Sequence, residues 1–257
     1  MKQRFSKRTR LVSALLTLAM VFTFLPFSAF AATDSYGPVY ITDANVPDKT
    51  FREYLLKRFD KDGNGVLTPA ERYAATEIDV ENKYISNLSG IEFFPNLKKL
   101  NCGHNRLTSL DVSKNTELTY LDCSYNRLTE LDVSQNTKLT ELYFVSNKIT
   151  SLQADNCTNL TVIFTGSNKY KVEVYRTTRI LDPSILPGNF DISRVRNLKG
   201  ATQNADGTLT VQEGGGKVTY EYRCVGEIYK PFTLNVTETD DPNAGICLLY
   251  TSPSPRD

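Results

Sequence analysis

Residues 121–128 read Leu121-Asp122-Cys123-Ser124-Tyr125-Asn126-Arg127-Leu128, and the same pattern returns at intervals of 21 residues in copies that begin at Leu100 and Leu142. An earlier copy begins 22 residues before Leu100, at Ile78, and a degenerate one begins at Ile163. A period of this length is typical of a solenoid, in which each repeat adds one rung to a continuous core. The sequence therefore predicts a solenoid of about five rungs.

The pattern resembles the L-x-x-L-x-L-x-x-N-x-L signature of leucine-rich repeats, with matches at Leu118, Leu121, Cys123, Asn126 and Leu128. Side chains alternate across a strand, so a short strand at residues 120–123 turns its leucine into the solenoid, and stacked rungs form a parallel sheet. The second half of each rung is short and rich in turn-forming residues. We therefore expect extended or irregular structure there rather than a helix.

Two kinds of inward side chain are predicted to be structural. One asparagine per rung stands at the turn that leaves the strand, where its amide can bond backbone groups that would otherwise be buried without a partner; these are Asn105, Asn126, Asn147 and Asn168. Cys102 and Cys123 share an inward position of adjacent rungs, and we interpret them as buried thiols. A disulfide between them is an alternative in an exported protein, although side chains of neighbouring parallel strands point the same way and bridge poorly.

A second motif precedes the repeats. Residues 60–71 read Asp60-Lys61-Asp62-Gly63-Asn64-Gly65-Val66-Leu67-Thr68-Pro69-Ala70-Glu71 and fit D-x-[DN]-x-[DN]-G-x5-E, the calcium loop of an EF-hand. Calcium takes about six to eight oxygen ligands, and Gly65 permits the sharp turn. The candidate ligands are side-chain oxygens and, at one position, a backbone carbonyl, from Asp60, Asp62, Asn64, Val66, Thr68 and Glu71. We expect calcium as the cofactor, in a single structural site.

The loop belongs to a helical N-terminal cap, assigned to residues 32–77. Residues 48–59 carry apolar side chains at Phe51, Tyr54, Leu55 and Phe59, which is the spacing of an amphipathic helix. A helix pair also covers the open end of a solenoid, so capping alone is an alternative to calcium binding. Three carboxylates directed at one point repel one another in an empty loop, which favours calcium.

Both ends of the chain are expected to lie outside the fold. Residues 1–31 combine basic side chains, an apolar run and the sequence Ala29-Phe30-Ala31, which is typical of a signal peptide cut after Ala31; an uncleaved membrane anchor is the alternative. Cleavage would change the formal net charge from +1 to −4 and leave no membrane span. Residues 247–257 resemble translated sequencing adapter, and residues 238–246 read as a linker.

The repeats are assigned to residues 78–177, and residues 178–237, where the period disappears, read as a β-rich module. Its expected strands are Thr208–Val211, Lys217–Cys224 and Phe232–Val236, separated by glycine-rich turns. An immunoglobulin-like fold and a hairpin both fit this pattern. The predicted fold class is therefore an α/β solenoid of leucine-rich repeats with a helical EF-hand-like N-terminal cap and a C-terminal all-β module.

Composition and motifs exclude several functions. The 30 basic and 29 acidic residues nearly cancel, so the chain has no electrostatic footprint for nucleic acid, and its single histidine excludes a multi-histidine metal site. The sequence contains no G-x-S-x-G, H-E-x-x-H or phosphate-binding glycine loop. Glu77, Asp79 and Glu81 come nearest to a carboxylate pair for glycoside hydrolysis, but they fall on an open face. We expect a binding protein and no enzyme.

With the signal peptide, the cap, Cys102 and Cys123, residues 33–237 resemble the internalin-type leucine-rich repeat proteins exported by Gram-positive bacteria. The resemblance implies a secreted or cell-surface protein, often held to the cell wall by C-terminal elements, that binds a protein partner. Lys83 replaces the first rung's asparagine, and Thr165 occupies an inward position of the last rung. These departures indicate that the two rungs are capping ones.

A solenoid presents the outward side chains of its strands as one rigid concave array, which such proteins use for binding. We call this array the strand face, and its candidate partner-binding residues are Lys99, Asn101, His104, Tyr120, Asp122, Tyr125, Glu141, Tyr143, Val145 and Phe164. Aromatic side chains carry much of the energy of interfaces, although they also stabilise sheets by cross-strand packing. Two alternatives stay open: a recognition region of a longer exported peptidase or glycosidase, or a polysaccharide-binding surface.

Overall fold

A computed structural model describes residues 37–245 of the chain. The expected signal peptide at residues 1–31 and the adapter-like tail at residues 247–257 lie outside the described residues. The helices and strands are, in chain order, β1 (Val39–Tyr40), α1 (Lys49–Phe59), β2 (Val66–Leu67), α2 (Pro69–Ala74), β3 (Glu77–Asp79), β4 (Lys99–Asn101), β5 (Tyr120–Asp122), β6 (Glu141–Tyr143), β7 (Val162–Phe164), β8 (Lys169–Tyr175), β9 (Ile180–Leu181), β10 (Val195–Lys199), β11 (Ala201–Gln203), β12 (Leu209–Val211), β13 (Gly216–Val225) and β14 (Ile228–Thr239).

Asp48 is the N-cap residue of helix α1, and it also links this helix to the first rung. The Asp48 carboxylate accepts a hydrogen bond from the Phe51 N–H (3.1 Å), which satisfies one of the free donors at the helix start. Its second oxygen accepts hydrogen bonds from the N–H (2.8 Å) and the hydroxyl (3.0 Å) of Ser86. Phe51, Leu55 and Phe59 are buried, as the predicted apolar stripe requires.

The five short strands β3 to β7 pair in parallel and in sequence order, one from each rung. Their central residues lie side by side and are all buried: Ile78, Leu100, Leu121, Leu142 and Ile163. These are the positions that the repeat alignment equates, so the register follows from the 21-residue period. Apolar side chains point inward and form one core because successive side chains of a strand alternate between its two faces.

The second halves of the rungs contain no α-helix within residues 95–161, as their length predicted. A second column of inward side chains runs through them. Asn115 and Asn136 are fully buried, and the Asn136 amide donates hydrogen bonds to the carbonyls of Val112 and Asn115 (both 2.9 Å) in the preceding rung. Cys157 occupies the next position, and its sulfur lies within hydrogen-bond distance of the carbonyls of Val133 (3.3 Å) and Asn136 (3.4 Å).

The four cysteines of the described residues, Cys102, Cys123, Cys157 and Cys224, are buried free thiols, which agrees with the first interpretation of Cys102 and Cys123 rather than with the disulfide. Burial raises the pKa of all four thiols, so they stay protonated. Cys102 and Cys123 therefore behave as small apolar side chains of the core.

The β-rich region differs from the prediction at both of its boundaries. Strand β8, which was assigned to the repeats, pairs in parallel with β14 in a four-stranded sheet of order β10-β13-β14-β8. Strand β14 extends to Thr239, beyond the expected end at Val236 and the boundary at residue 237. Both differences arise because β8 and β14 pair over their last seven residues, a contact between distant segments that no local pattern encodes. Strands β11, β12 and β9 form a separate three-stranded sheet.

Hydrogen bonds and ring contacts join this region to the last rungs. The Ala154 N–H donates to the Cys224 carbonyl (2.9 Å), and the Tyr220 hydroxyl donates to the Thr150 carbonyl (2.8 Å). The rings of Phe144 and Phe232 lie 6.3 Å apart, so the apolar core continues from the array into the four-stranded sheet. No helix within residues 37–245 is long and apolar enough to cross a membrane.

Candidate calcium loop and strand face

Residues 60–71 bring three carboxylates to one point. One side-chain oxygen each of Asp60, Asp62 and Glu71 lies within 4.8 Å of the other two. Calcium–oxygen distances are about 2.3 to 2.6 Å, so oxygens on opposite sides of one ion lie about 5 Å apart. The spacing of the three oxygens therefore fits a single calcium ion.

Backbone N–H groups of the loop hold these carboxylates in place. Asp60 accepts hydrogen bonds from the N–H groups of Gly63 (2.8 Å) and Gly65 (2.8 Å), while Gly65 itself has a φ of 78°, the left-handed conformation that favours glycine. Glu71 accepts hydrogen bonds from the N–H groups of Lys61 (2.8 Å) and Thr68 (2.9 Å). The ends of the loop are thus fastened to each other through Glu71.

The same hydrogen bonds lower the pKa of Asp60 and of Glu71. The bond from the Lys61 N–H is the main cause that lowers the pKa of Glu71, and desolvation opposes it. Desolvation acts to raise the pKa of Asp60, but hydrogen bonds from Gly65 and its neighbours outweigh it and leave the pKa below its ordinary value. Ionised carboxylates are the form that binds a hard cation.

Two other predicted ligands, Asn64 and Thr68, have different surroundings. The Asn64 amide donates to Asp62 (2.8 Å) and its oxygen accepts from the Val66 N–H (2.7 Å). The Thr68 hydroxyl donates to Glu71 (2.8 Å) and accepts from the Glu71 N–H (3.3 Å), so Thr68 forms the capping box that begins α2. Asn64 and Thr68 lie beside the carboxylates, and both serve local turns as well.

Strand β2 of the loop pairs with β1 in an antiparallel ribbon, with Val39 opposite Leu67. Leu67 is fully buried. The Ile41 N–H also donates to the Gly65 carbonyl (3.0 Å). Residues 39–41 therefore support the back of the loop, a role that their local sequence does not reveal.

The strand face carries a row of aromatic rings across three adjacent rungs. The ring centroids of Tyr120 and Tyr143 lie 5.5 Å apart, and those of Tyr143 and Phe164 lie 5.1 Å apart with nearly parallel planes. Phe164 is 54% exposed, whereas Tyr120 and Tyr143 are half-buried by their neighbours. The rings thus pack on one another and also present a continuous apolar surface to solvent.

Carboxylates lie beside Tyr120 and Tyr143 of this row. Tyr143 donates a hydrogen bond to Glu141 (2.9 Å), which is the main cause that raises the pKa of Tyr143. Burial, together with the charges of Asp122 and other neighbours, raises the pKa of Tyr120 to about 12, so its hydroxyl remains a donor at neutral pH. The Asn101 amide donates to Glu81 (3.2 Å). Five acidic residues and Lys99 lie on this face at or beside the strands: Glu77, Asp79, Glu81, Asp122 and Glu141.

Two of the predicted binding positions also hold turns. The side-chain oxygens of Asn101 and Asp122 accept hydrogen bonds from the N–H two residues on, at Gly103 (3.2 Å) and Ser124 (2.8 Å). His104 and Tyr125 follow in left-handed backbone conformations, with φ of 53° and 54°, and their rings stack at 4.2 Å. His104 and Tyr125 therefore lie at the edge of the strand face, in the turns rather than on the strands.

Val145 does not share the rung position of His104 and Tyr125. Ser146 does, because it has the same left-handed backbone with φ of 55°, whereas Val145 lies one residue earlier and is half-buried. Ser146 follows Tyr125 by one full period, so Val145 corresponds to Ser124 of the preceding rung. The role of Val145 in partner binding stays a prediction. The Tyr54 hydroxyl, which accepts a hydrogen bond from the Asp79 N–H (3.2 Å), was missed because contacts between α1 and the first strand leave no local signal.

Comparisons with known proteins agree with the repeat architecture. A family model for leucine-rich repeats in two copies matches residues 95–136 and 116–154. Internalin J of Listeria monocytogenes serotype 4b (strain F2365) is 34% identical over 70 residues, which are 27% of this chain and 8% of that protein. The chain therefore covers a small part of this relative's length.

Two solved structures are also similar. The functional domain of InlJ from Listeria monocytogenes, described as including a cysteine ladder, has a TM-score of 0.50 and 32% identity over 56% of this chain and 31% of that chain. An internalin, inlF, of Listeria monocytogenes strain 4b F2365 has a TM-score of 0.47 and 26% identity, covering 53% and 41% of the two chains. The middle of this chain thus consists of leucine-rich repeats that resemble those of internalin J in sequence and fold.

Proposed function

We propose that this chain is part of an exported bacterial leucine-rich repeat protein that recognises a protein partner through the strand face. Residues 60–71 hold calcium, which stabilises the cap. The protein acts outside the cytoplasm, either secreted or held at the cell surface, and it is a binding protein rather than an enzyme.

The row of rings from Tyr120 through Tyr143 to Phe164 is the observation that carries this proposal. Large rings are enriched among the side chains that dominate protein interfaces, and they contribute most when a rim of polar groups excludes water. Here the rim consists of the carboxylates beside the rings. The parallel sheet fixes the spacing of the rings before a partner binds. A preorganised surface of this kind loses little conformational entropy on binding.

The similarity of residues 95–154 to leucine-rich repeats, and of the array to that of internalin J, supports a bacterial recognition protein. Glu77, Asp79 and Glu81, the nearest approach to a catalytic carboxylate set, are all exposed. A general acid of a glycosidase needs a site that excludes water and raises its pKa. Their exposure supports a binding role for this end of the strand face.

The geometry of residues 60–71 supports calcium as the cofactor. Asp60, Asp62 and Glu71 would supply carboxylate oxygens, and the bound ion would neutralise the mutual repulsion of the three charges. Glu71 also begins α2 and reaches back to Lys61, so holding this carboxylate orders the second helix of the cap. Calcium therefore acts here as a structural ion.

The partner proposal is tested by screening the full chain against an array of extracellular proteins and, in parallel, a glycan array. Tyr120→Ala combined with Tyr143→Ala removes two rings of the row, and Tyr40→Ala removes a ring that is 66% exposed on β1 of the cap. We expect a protein ligand whose affinity falls by roughly tenfold or more in the double variant. The Tyr40→Ala control is expected to bind as the wild type does.

Binding to glycans alone, with the same sensitivity to the double variant, would replace the protein partner with a polysaccharide. Equal binding by all three proteins would show that the strand face is not the recognition surface. Thermal melting of each variant distinguishes a loss of contact from a loss of fold.

A further inference from the structure

A groove of about 850 Å³ crosses the second halves of the rungs, on a different surface from the strand face. Volumes of about 300 to 1,000 Å³ are typical of ligand sites. Among the described residues, the lining contains none from strands β3 to β7, so ligands of the strand face and of this groove would not compete directly. The groove is thus a separate candidate site.

The floor of the groove is a column of leucines. Leu88, Leu110 and Leu131 line it from the same position of three successive rungs. Leu88 and Leu131 are 4% and 6% exposed, so they form its base, and the half-buried Leu110 lies nearer to solvent. Rungs are about 4.8 Å apart, so the column offers an apolar contact at each of these intervals. An elongated ligand with apolar groups along one side fits this floor.

A loop of the β-rich region closes one end of the groove. Gly188 and Asn189 line that end together with Gln153 of the array. The Gln153 amide donates to the Asn189 carbonyl (2.7 Å), and the Ser151 hydroxyl donates to the Gly188 carbonyl (2.9 Å). The end wall is therefore fastened to the array, and the groove is a preformed feature of the fold.

The walls of the groove carry an excess of negative charge. Four carboxylates line it against one ammonium group: Glu92, Asp111, Glu130 and Asp132 against Lys114. Asp111 and Asp132 each accept a hydrogen bond from the N–H two residues on, at Ser113 (2.9 Å) and Ser134 (2.8 Å). This bond is the main cause that lowers the pKa of Asp111, so a fixed negative charge persists into mildly acidic conditions.

Some residues that line the groove have backbone N–H groups without a protein partner. In the described part of the chain, the N–H groups of Ser109 and Asp111, and those of Glu130 and Asp132, donate no hydrogen bond to another protein group. All four residues are exposed, so water satisfies these donors in the free protein. An incoming chain of peptide carbonyls can replace that water.

We propose that this groove binds an extended peptide segment of a protein partner, one that carries lysine or arginine side chains. Basic side chains meet the four carboxylates, apolar side chains meet the leucine column, and peptide carbonyls meet the free N–H groups. An oligosaccharide is the other polymer that such a groove admits. The described lining residues include no aromatic ring on which a sugar could stack, and this favours the peptide.

The test uses the full chain and an acetylated peptide of alternating lysine and alanine, about eight residues long, which spans roughly 26 Å when extended. Binding is measured by calorimetry, with a peptide of alternating glutamate and alanine as the charge control and chitohexaose as the oligosaccharide probe. The variant is Asp111→Asn with Asp132→Asn, because asparagine retains the acceptor for the Ser113 and Ser134 N–H groups and removes only the charge.

Asp206→Asn with Asp241→Asn is the matched control. Both aspartates are exposed, and both accept the same type of bond from the N–H two residues on, at Thr208 (3.0 Å) and Asn243 (2.9 Å). The two double variants therefore change the net charge equally and preserve the same local turns. Only their positions relative to the groove differ.

We expect the basic peptide to bind the wild type and the control, and to bind the Asp111 and Asp132 double variant roughly tenfold more weakly or worse. Equal weakening in both double variants would show a non-specific charge effect and overturn the proposal, as would no binding of the basic peptide or binding of chitohexaose alone. The Tyr120 and Tyr143 double variant should keep full peptide affinity. That result separates this proposal from the function of the strand face, so either can fail without the other.

Discussion

The repeat array and the acidic loop satisfy their polar groups in opposite ways. In the array, the buried amide of Asn126 lies within hydrogen-bond distance of the carbonyls of Cys102 (3.0 Å) and Cys123 (3.0 Å), and its oxygen accepts from the Leu107 N–H (2.9 Å). In the loop, the carboxylates of Asp60 and Glu71 accept bonds from N–H groups of residues 61–68 and face one another near solvent. Asn126 thus finds its partners within the array, whereas the loop keeps a concentration of negative charge that a cation relieves.

Removing an asparagine from the array should have the largest effect. Asn126→Leu leaves the Leu107 N–H buried without a partner, which costs about 1 to 3 kcal/mol. It also removes one of the two amide donors to each of the carbonyls of Cys102 and Cys123, which keep Asn105 and Asn147 as donors. We expect the free energy of unfolding to fall by about 2 kcal/mol or more, measured by urea denaturation. The loss should be the same in calcium and in chelator, because Asn126 does not contact the loop.

Asn243→Leu is the control for this change, since Asn243 is exposed and lies outside the array. It should change the free energy of unfolding by no more than about 0.5 kcal/mol. Similar losses in both variants would mean that the buried asparagines do not hold the rungs together.

Removing calcium should have the second largest effect. A ligand at tenfold excess over its dissociation constant stabilises the folded state by about 1.4 kcal/mol, and extracellular EF-hand sites have dissociation constants on the order of 10⁻⁴ to 10⁻³ M. We expect one-to-one binding in calorimetry and a higher melting temperature in calcium than in chelator. Glu71→Gln should abolish both effects, while glutamine preserves the capping box that begins α2.

A calcium-induced rise in melting temperature that survives Glu71→Gln would place the ion elsewhere. Melting curves of the wild type that coincide in calcium and chelator would show that the loop only caps the array. Asn126→Leu, measured beside Glu71→Gln, tests whether the two regions are independent as the comparison predicts.

Cys157 is the third side chain of the inward column that begins with Asn115 and Asn136, and its thiol makes the weakest hydrogen bonds of the three. A thiol is a poorer donor than an amide, so Cys157→Ala should cost only about 1 kcal/mol through the carbonyls of Val133 and Asn136. Cys157→Asn restores the residue type found at this position in the two preceding rungs, and we expect it to match or exceed the wild type. An asparagine variant that is less stable than the alanine variant would show that the column ends at Asn136.

Acid should have the smallest effect, and part of that effect should act through Glu71 of the loop. The pKa of Glu71 in the folded protein lies below its ordinary value of 4.5, so its ionised form contributes stability above that pH. The contribution is lost as the pH falls through the lower folded value. In chelator, we expect stability to decline below about pH 4.5, and to decline less in Glu71→Gln. Superimposable curves for the two proteins would contradict a role for this carboxylate.

The 21-residue period and the motif of residues 60–71 predicted much of this fold from the sequence. The core positions Leu100, Leu121 and Leu142 follow from a period that recurs in the sequence, and their register follows with it. The carboxylates of the loop were predicted because twelve consecutive residues position them. The extent of β14 and its pairing with β8 were not predicted, because parallel pairing joins segments about sixty residues apart.

The sequence by itself determined the rungs, their inward asparagines and leucines, and the acidic loop, because each depends on residues within one period or one turn. The tertiary structure alone decided which strand supports the loop, how the aromatic rings of neighbouring rungs pack into a row, and where the β-rich region meets the array. It also decided the groove, whose leucines, carboxylates and closing loop come from separate parts of the chain. Side chains that are distant in sequence acquire a common surface only when stacking of the rungs and packing of the sheets bring them together.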